Sequence, residues 1–172
     1  SDGGTIGLGG TSGNMTITGS ELGNITAGTL NIGNSSTGNI TVDGISAANS
    51  NNATTVNLTT ASASSVSFSN NASIFQALAV SSGNGINQGV NVTTSSTATL
   101  DADSNNDGSG DFSNTAGTFS TGSSALSITG NDFSLSGSIN TGTGTTTILI
   151  SDGGSIGLGS TSGNMTITGT EL

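Results

Sequence analysis

Apolar and polar residues alternate in short runs along the whole chain, at residues 5–8, 14–18, 24–26, 29–32, 39–42, 55–58, 65–68, 89–92, 98–100, 111–112, 118–119, 126–128, 133–135 and 148–150. Thr, Val and Ile are enriched in these runs, and Gly, Asn, Ser or Asp bounds nearly all of them. Period-two alternation between turn formers is the pattern of a strand with one buried face. Strands this short, joined by turns this small, do not enclose the core of a conventional sandwich. They suit an all-β fold of the parallel β-helix (β-solenoid) kind, in which a strand of each coil stacks on the strand of the coil before it. Ile, Leu, Val and Phe then form inward columns, while Thr, Ser and Asn form hydrogen-bonding ladders outside. At roughly 20 residues per coil, 150 residues give about seven coils and ~35 Å of length.

Residues 71–80, NASIFQALAV, depart from this pattern as the most apolar run, with no internal Gly. Ile74, Phe75 and Leu78 would share one face of a short helix capped by Asn71 or Ser73, whereas a strand here would be buried on both faces. The strand is the expected form, because a helix of about nine residues is marginal without flanking packing.

A second pattern operates at long range. Residues 1–22, SDGGTIGLGGTSGNMTITGSEL, return at 151–172 as SDGGSIGLGSTSGNMTITGTEL, changed only at Thr5/Ser155, Gly10/Ser160 and Ser20/Thr170. Fixed-period self-similarity belongs to stacked architectures whose units bury apolar surface against their neighbours. Residues 1–150 are therefore expected to be one full tandem repeat, and residues 151–172 the start of the next. The chain has neither an initiating Met nor a leader, as expected of an internal slice of a longer protein.

Composition narrows the function. The chain contains no Lys, Arg, His, Cys, Trp, Tyr or Pro, and its formal charge is −10. Leu, Ile, Val and Phe make up about 21% of residues, barely above the level of disordered chains, so the alternation decides for strands. Without a cation the chain cannot neutralise phosphates, which excludes nucleic acid and anionic membrane surfaces as partners. No run approaches the ~20 apolar residues that span a bilayer, so membrane insertion is not expected. Absent Cys and His remove disulfides and the common zinc ligands. Absent Pro fits ladders in which every backbone N–H is needed.

The order of the runs resembles the repeat region of filamentous-haemagglutinin-like large exoproteins of Gram-negative bacteria. The resemblance is carried by residues 21–33 (ELGNITAGTLNIG), continuing into Thr37-Gly38-Asn39-Ile40-Thr41-Val42. Residues 75–80 with Asn84-Gly85-Ile86, then Leu100-Asp101-Ala102-Asp103, and residues 137–144 (GSINTGTG) extend it over most of the chain. It implies a right-handed parallel β-helix, exported with an outer-membrane secretion partner and displayed at the cell surface for adhesion, aggregation or matrix building. The family offers no catalytic residues in these repeats.

The candidate chemistry lies in residues 100–112, LDADSNNDGSGDF, which hold four of the ten carboxylates. Counted from Asp103, the spacing Asp103, Asn105, Asp107, Gly108, Ser109, Asp111 follows the first nine positions of a D-x-[DN]-x-[DN]-G calcium loop. Ca²⁺ takes about six to eight oxygens, and this spacing turns successive donors inward, with Ser109 offering its carbonyl. The twelfth position, where a bidentate Glu is usual, is Asn114; Asp101 could supply the missing charge. Ca²⁺ is thus the one expected cofactor, at extracellular millimolar affinity, and the alternative is a solvated acidic turn. Gly-rich residues 7–13 lack the Lys and the βαβ unit of a phosphate cradle and read as a corner.

Catalysis is not expected. Asp2, Glu21, Asp43 and Asp132 are scattered rather than paired, as glycoside hydrolysis would require. Five Phe without Trp or Tyr is a poor set for stacking sugars. The expected function is a structural segment of a secreted fibre or adhesin, whose partner is itself, stacked head to tail. The alternative is a β-helical carbohydrate-binding or polysaccharide-degrading module.

Overall fold

The computed structural model describes residues 3–172; Ser1 and Asp2, with which the expected repeat begins, lie outside the described residues. The chain is mostly β, its strands stacked in parallel sheets. Among the described residues every strand pairing is parallel. The first passage runs β1 (Ile6–Gly9), β2 (Met15–Ile17), α1 (Gly19–Gly23) and β3 (Ala27–Gly33). The second runs β4 (Ile40–Asp43), α2 (Ala47–Ser50) and β5 (Ala53–Thr59). Strands then come in triplets: β6 (Val66–Phe68), β7 (Ser73–Phe75) and β8 (Ala77–Ser81), followed by β9 (Ile86–Gln88), β10 (Val92–Thr94) and β11 (Ala98–Asp101). Next are β12 (Phe112–Asn114), β13 (Thr118–Ser120) and β14 (Leu126–Gly130), then β15 (Phe133–Leu135), β16 (Ser138–Asn140) and β17 (Thr146–Ile150).

Each member of a triplet joins a different sheet. The first sheet has seven strands in the order β15-β12-β9-β6-β4-β1-β2, the second has β16-β13-β10-β7, and the third has β17-β14-β11-β8-β5-β3. The chain returns to the first sheet after 34, 26, 20, 26 and 21 residues, from Ile6 to Ile40, Val66, Ile86, Phe112 and Phe133. These returns are mostly longer than the 20 residues expected from the spacing of the runs, so residues 6–150 make six passages rather than the expected seven or so. The seventh strand of the first sheet is β2, which pairs beside β1 after a connection of only a few residues.

Register turns the alternating pattern into columns. Ile6, Ile40, Val66, Ile86, Phe112 and Phe133 follow one another across the first sheet, and the rings of Phe112 and Phe133 stack at 5.6 Å. Ile32, Leu58, Val80, Leu100, Ile128 and Ile148 do the same across the third. These columns are the core. Outside, Asn57 donates to Asn31 at 2.8 Å and Thr118 meets Ser138 at 2.8 Å, as expected for polar ladders.

Residues 71–80 are extended, as two strands rather than one. β7 ends at Phe75 and β8 begins at Ala77, in different sheets, so the chain turns at Gln76. The corner explains the apolar run: Phe75, Ala77 and Leu78 all point inward because the inward direction rotates between them. α1 and α2 stand where the second sheet has no strand, with α2 packed on both α1 and β7. Ser50 of α2 donates to the Ile74 carbonyl at 2.7 Å. A T-x-x-E capping box, Thr18 to Glu21, starts α1.

Polar groups do enter the core, and they are partnered. Asn114 and Gln88 occupy adjacent places in one inward column, where Asn114 Nδ2 donates to Gln88 Oε1 at 3.0 Å. Asn114 Oδ1 in turn accepts the Gly137 N–H at 3.1 Å. Among the described residues no buried side-chain nitrogen or oxygen lacks a partner. Asn114→Ala would leave the Gln88 oxygen without this donor and Gly137 without this acceptor. It should lower the unfolding free energy in urea by at least about 2 kcal/mol; a loss under about 0.5 kcal/mol would mean that the amide pair contributes nothing.

Candidate functional site

The acidic loop connects β11 to β12, and its carboxylates go separate ways. Asp101 lies in an outward column of the third sheet, between Ser81 and Thr129. Asp103 is fully buried beneath the loop. One of its oxygens accepts the Asp107 N–H at 3.2 Å and the other accepts the Ser151 hydroxyl at 2.7 Å. Asp107 accepts from the Ser109 N–H at 3.0 Å and from the Asn105 amide at 2.6 Å. Asp111, past the loop, accepts from Asn131 at 3.0 Å and borders an open polar groove with Asn84, Asn87, Ser113 and Asn131. Asn106 and Gly108, at φ 51° and 78°, make the sharp bend that the spacing predicts.

Asp101, Asp103, Asn105, Asp107 and Ser109 are thus linked through local hydrogen bonds, the Asp103 N–H donating to Asp101 at 3.3 Å, while Asp111 bonds Asn131 on a separate flank. Among the described residues no three His, Cys, Asp or Glu side chains stand close enough to share a metal ion. Ca²⁺ binding would require Asp103 and Asp107 to exchange protein donors for the ion. Local spacing gave no sign of Ser151, 48 residues beyond Asp103, through which the loop is tied to the start of the second copy of the repeat.

That second copy contains β18 (Ile156–Leu158) and β19 (Met165–Ile167), paired in the same register as β1 and β2. The two copies are buried on opposite sides. In the first, β1 lies against β4 and β2 forms the sheet edge. In the second, β19 packs on β15 and β18 is left open. Ile6 and Leu8 are accordingly 5% and 0% exposed, against 40% and 57% for Ile156 and Leu158. Met15 is 48% exposed and Met165 0%. Leu22, on the buried side of α1, is 1% exposed, and Leu172 80%. Side chains tie the second copy down: the Thr166 N–H donates to Asp132 at 3.2 Å and the Leu135 N–H to Glu171 at 3.0 Å.

Charge states follow these contacts. The Asn70 and Asn71 side chains, with the Asn71 N–H, hold the Asp43 carboxyl below its ordinary value. The Thr18 N–H and hydroxyl do the same for Glu21. Desolvation opposes the effect at Glu171, but hydrogen bonds from Thr168 and Leu135 outweigh it. Asp101 runs the other way: desolvation, aided by the Asp103 charge, raises it despite the Asp103 N–H.

Comparison with protein-family models, curated proteins and solved structures returned no match.

The raised Asp101 has a definite pH consequence. The folded chain binds its proton more tightly than the unfolded chain, so its stabilising contribution is full below about pH 3.8 and is lost as pH rises through the folded value. Asp101→Asn keeps an acceptor for the Asp103 N–H and removes the charge. In EDTA at pH 7 it should raise the thermal midpoint above that of the natural chain, and the gain should shrink as pH falls towards 3.8. A midpoint that is lower at pH 7, or a gain independent of pH, would count against this account.

Proposed function

We propose that the chain is a structural segment of an extracellular fibre, a right-handed parallel β-helix that lengthens by adding coils along one axis. Each strand triplet is one coil, and the partner of each coil is another coil. The observation that carries this reading is the rotation of successive parallel strands through the same three sheets, with apolar columns in register throughout. A backbone of this kind grows only along its axis, because only its end strands leave N–H and C=O groups unpaired. The near-copy at residues 151–172 is the start of a further period: its β19 ends one apolar column while its β18 leaves that column open.

Secretion through an outer-membrane partner and display on a Gram-negative surface belong to the same reading, through the family resemblance of the chain. The fibre carries no catalytic group. Its ligand of choice is Ca²⁺ at Asp103 and Asp107, flanked by Asp101, Asn105, Ser109 and Asp111, where the ion would neutralise an acidic loop already bonded to the repeat boundary.

Two measurements test this. A two-period polypeptide should exceed the single-period chain in length by roughly 35 Å in small-angle scattering, at ~4.8 Å per stacked strand, with an unchanged cross-section. Growth in cross-section instead would overturn the axial fibre. Ca²⁺ at about 1–10 mM should raise the thermal midpoint of the natural chain by mass action. Asp103→Ala/Asp107→Ala should abolish that rise; an unchanged midpoint in the natural chain would reduce the loop to a turn.

A further inference from the structure

Between β15 and β19 the first sheet stops being a backbone ladder. β19 packs on β15, and Met165 and Ile167 join the core, yet among the described residues the two strands form no pairing. Along β15, alternate residues serve β12: the Asp132 carbonyl accepts from the Phe112 N–H, and the Ser136 N–H donates to the Asn114 carbonyl. Phe133 and Leu135 between them turn their N–H groups towards β19. On β19 the Met165 N–H donates to Ser155 and the Ile167 carbonyl accepts from Gly159, both on the β18 side, so Thr166 and Thr168 turn theirs towards β15. Donors face donors across this seam, and two carboxylates take them all. Asp132 Oδ1 accepts the Phe133 N–H at 2.9 Å and the Thr166 N–H at 3.2 Å. Glu171 accepts the Leu135 N–H on Oε1 at 3.0 Å and the Thr168 N–H on Oε2 at 2.8 Å. Each carboxylate thus holds one donor from either side. We propose that Glu171 is an acid-sensitive latch between one repeat and the start of the next. Ionised, it holds β19 to β15; protonated, it lets the seam open while the stack within the repeat stays closed. The seam lies within one chain; that every repeat of a fibre ends in such a seam rests on the fibre reading.

The way the oxygens are used makes Glu171, rather than Asp132, the switch. Both seam donors of Asp132 fall on Oδ1, so a proton on Oδ2 leaves them their acceptor. Glu171 gives one oxygen to each side of the seam, and Oε2 also accepts the Thr168 hydroxyl at 2.8 Å. A proton on either oxygen turns an acceptor into a donor beside an N–H. In the first copy Glu21 makes the same bonds to Thr18 through Oε2. The bond from Leu135 is what a preceding passage adds. No cation in the chain could hold the seam in place of the carboxylates. The other acids of the packed strands are Asp132 itself, Asp111 ahead of β12, which accepts from Asn131, and Asp152 ahead of β18, beside Gly108. Desolvation raises the Glu171 carboxyl, but the Thr168 N–H and hydroxyl and the Leu135 N–H outweigh it and hold it below its ordinary value. The latch is therefore fully closed above about pH 4.5 and is lost as pH falls through the folded value.

Amide hydrogen exchange on the full chain, resolved by residue and expressed as protection relative to unstructured peptide, tests the latch between about pH 7 and about pH 3. As the pH falls below about 4.5, Leu135, Thr166 and Thr168 should lose protection by about tenfold or more. Ile86 and Phe112, bonded inside the first sheet, should keep theirs. Glu171→Gln replaces one acceptor oxygen by a donor; it should show the same local loss already at pH 7 and no further loss in acid. Asp132→Asn retains Oδ1 as the acceptor of both its seam N–H groups and should leave the acid response in place. The latch is overturned if Glu171→Gln leaves Leu135 and Thr168 as protected at pH 7 as they are in the natural chain. It is overturned equally if Asp132→Asn abolishes the acid response, or if Ile86 and Phe112 lose protection together with the seam in Glu171→Gln, the mark of general unfolding. Should acid unfold the whole natural chain, Glu171→Gln at pH 7 decides alone. A two-period polypeptide that lengthens as a fibre should, with seam amides indifferent to acid and to Glu171→Gln, would overturn the latch and leave the fibre reading standing.

Discussion

A parallel ladder fixes its register through evenly spaced backbone hydrogen bonds, and a slip of one residue would turn every inward side chain out. In this chain the core is only a few side chains wide, so no second layer of apolar residues could absorb such a slip. Register is therefore the constraint from which the rest follows. It sets Ile over Val over Ile over Phe in the first sheet, and places Asn114 beside Gln88 where a random offset would have left two unpartnered amides. In the first two passages α1 and α2 take the place of a strand in the second sheet, and the columns of the first and third sheets stay in line.

The same constraint gives the repeated segment its two faces. A strand in a stack is covered on both edges, and a strand at the end of a stack on only one. Near-identical residues are consequently buried in one copy and bare in the other: Leu8 against Leu158, Met165 against Met15. Nothing in the segment's own sequence encodes this difference. It comes from whether β4 or β15 is the neighbour.

Charge is placed where it does not oppose the stack. With no cation in the chain, every carboxylate must be solvated or hydrogen-bonded by neutral donors. Asp43 and the Thr-capped Glu21 and Glu171 are served by amides and hydroxyls, and buried Asp103 by a backbone N–H and Ser151. Asp101 is the exception, half-buried beside another acid.

The sequence by itself determined most of the strands with their inward residues, the corner glycines and the repeat. The run at 24–26 follows α1 instead of forming a strand, β9 and β16 lie outside the alternating runs, and nothing in the alternation marks α1 or α2. Period-two alternation and near-identity are local or self-referential signals, legible without a fold. It also carried the capping box at Thr18 as T-x-x-E, though this was masked by the surrounding polar residues. The division of residues 71–80 into two strands was decided only by tertiary structure, since Gln76 is a corner only because the chain must reach a different sheet there. So were the Asp103–Ser151 bond, made across 48 residues, and the separation of Asp101 from Asp111 on different flanks of the loop. Spacing along a chain specifies which residues share a face of one strand. Which distant strand lies beside it, and thus which edge stays open, depends on how far each connection carries the chain.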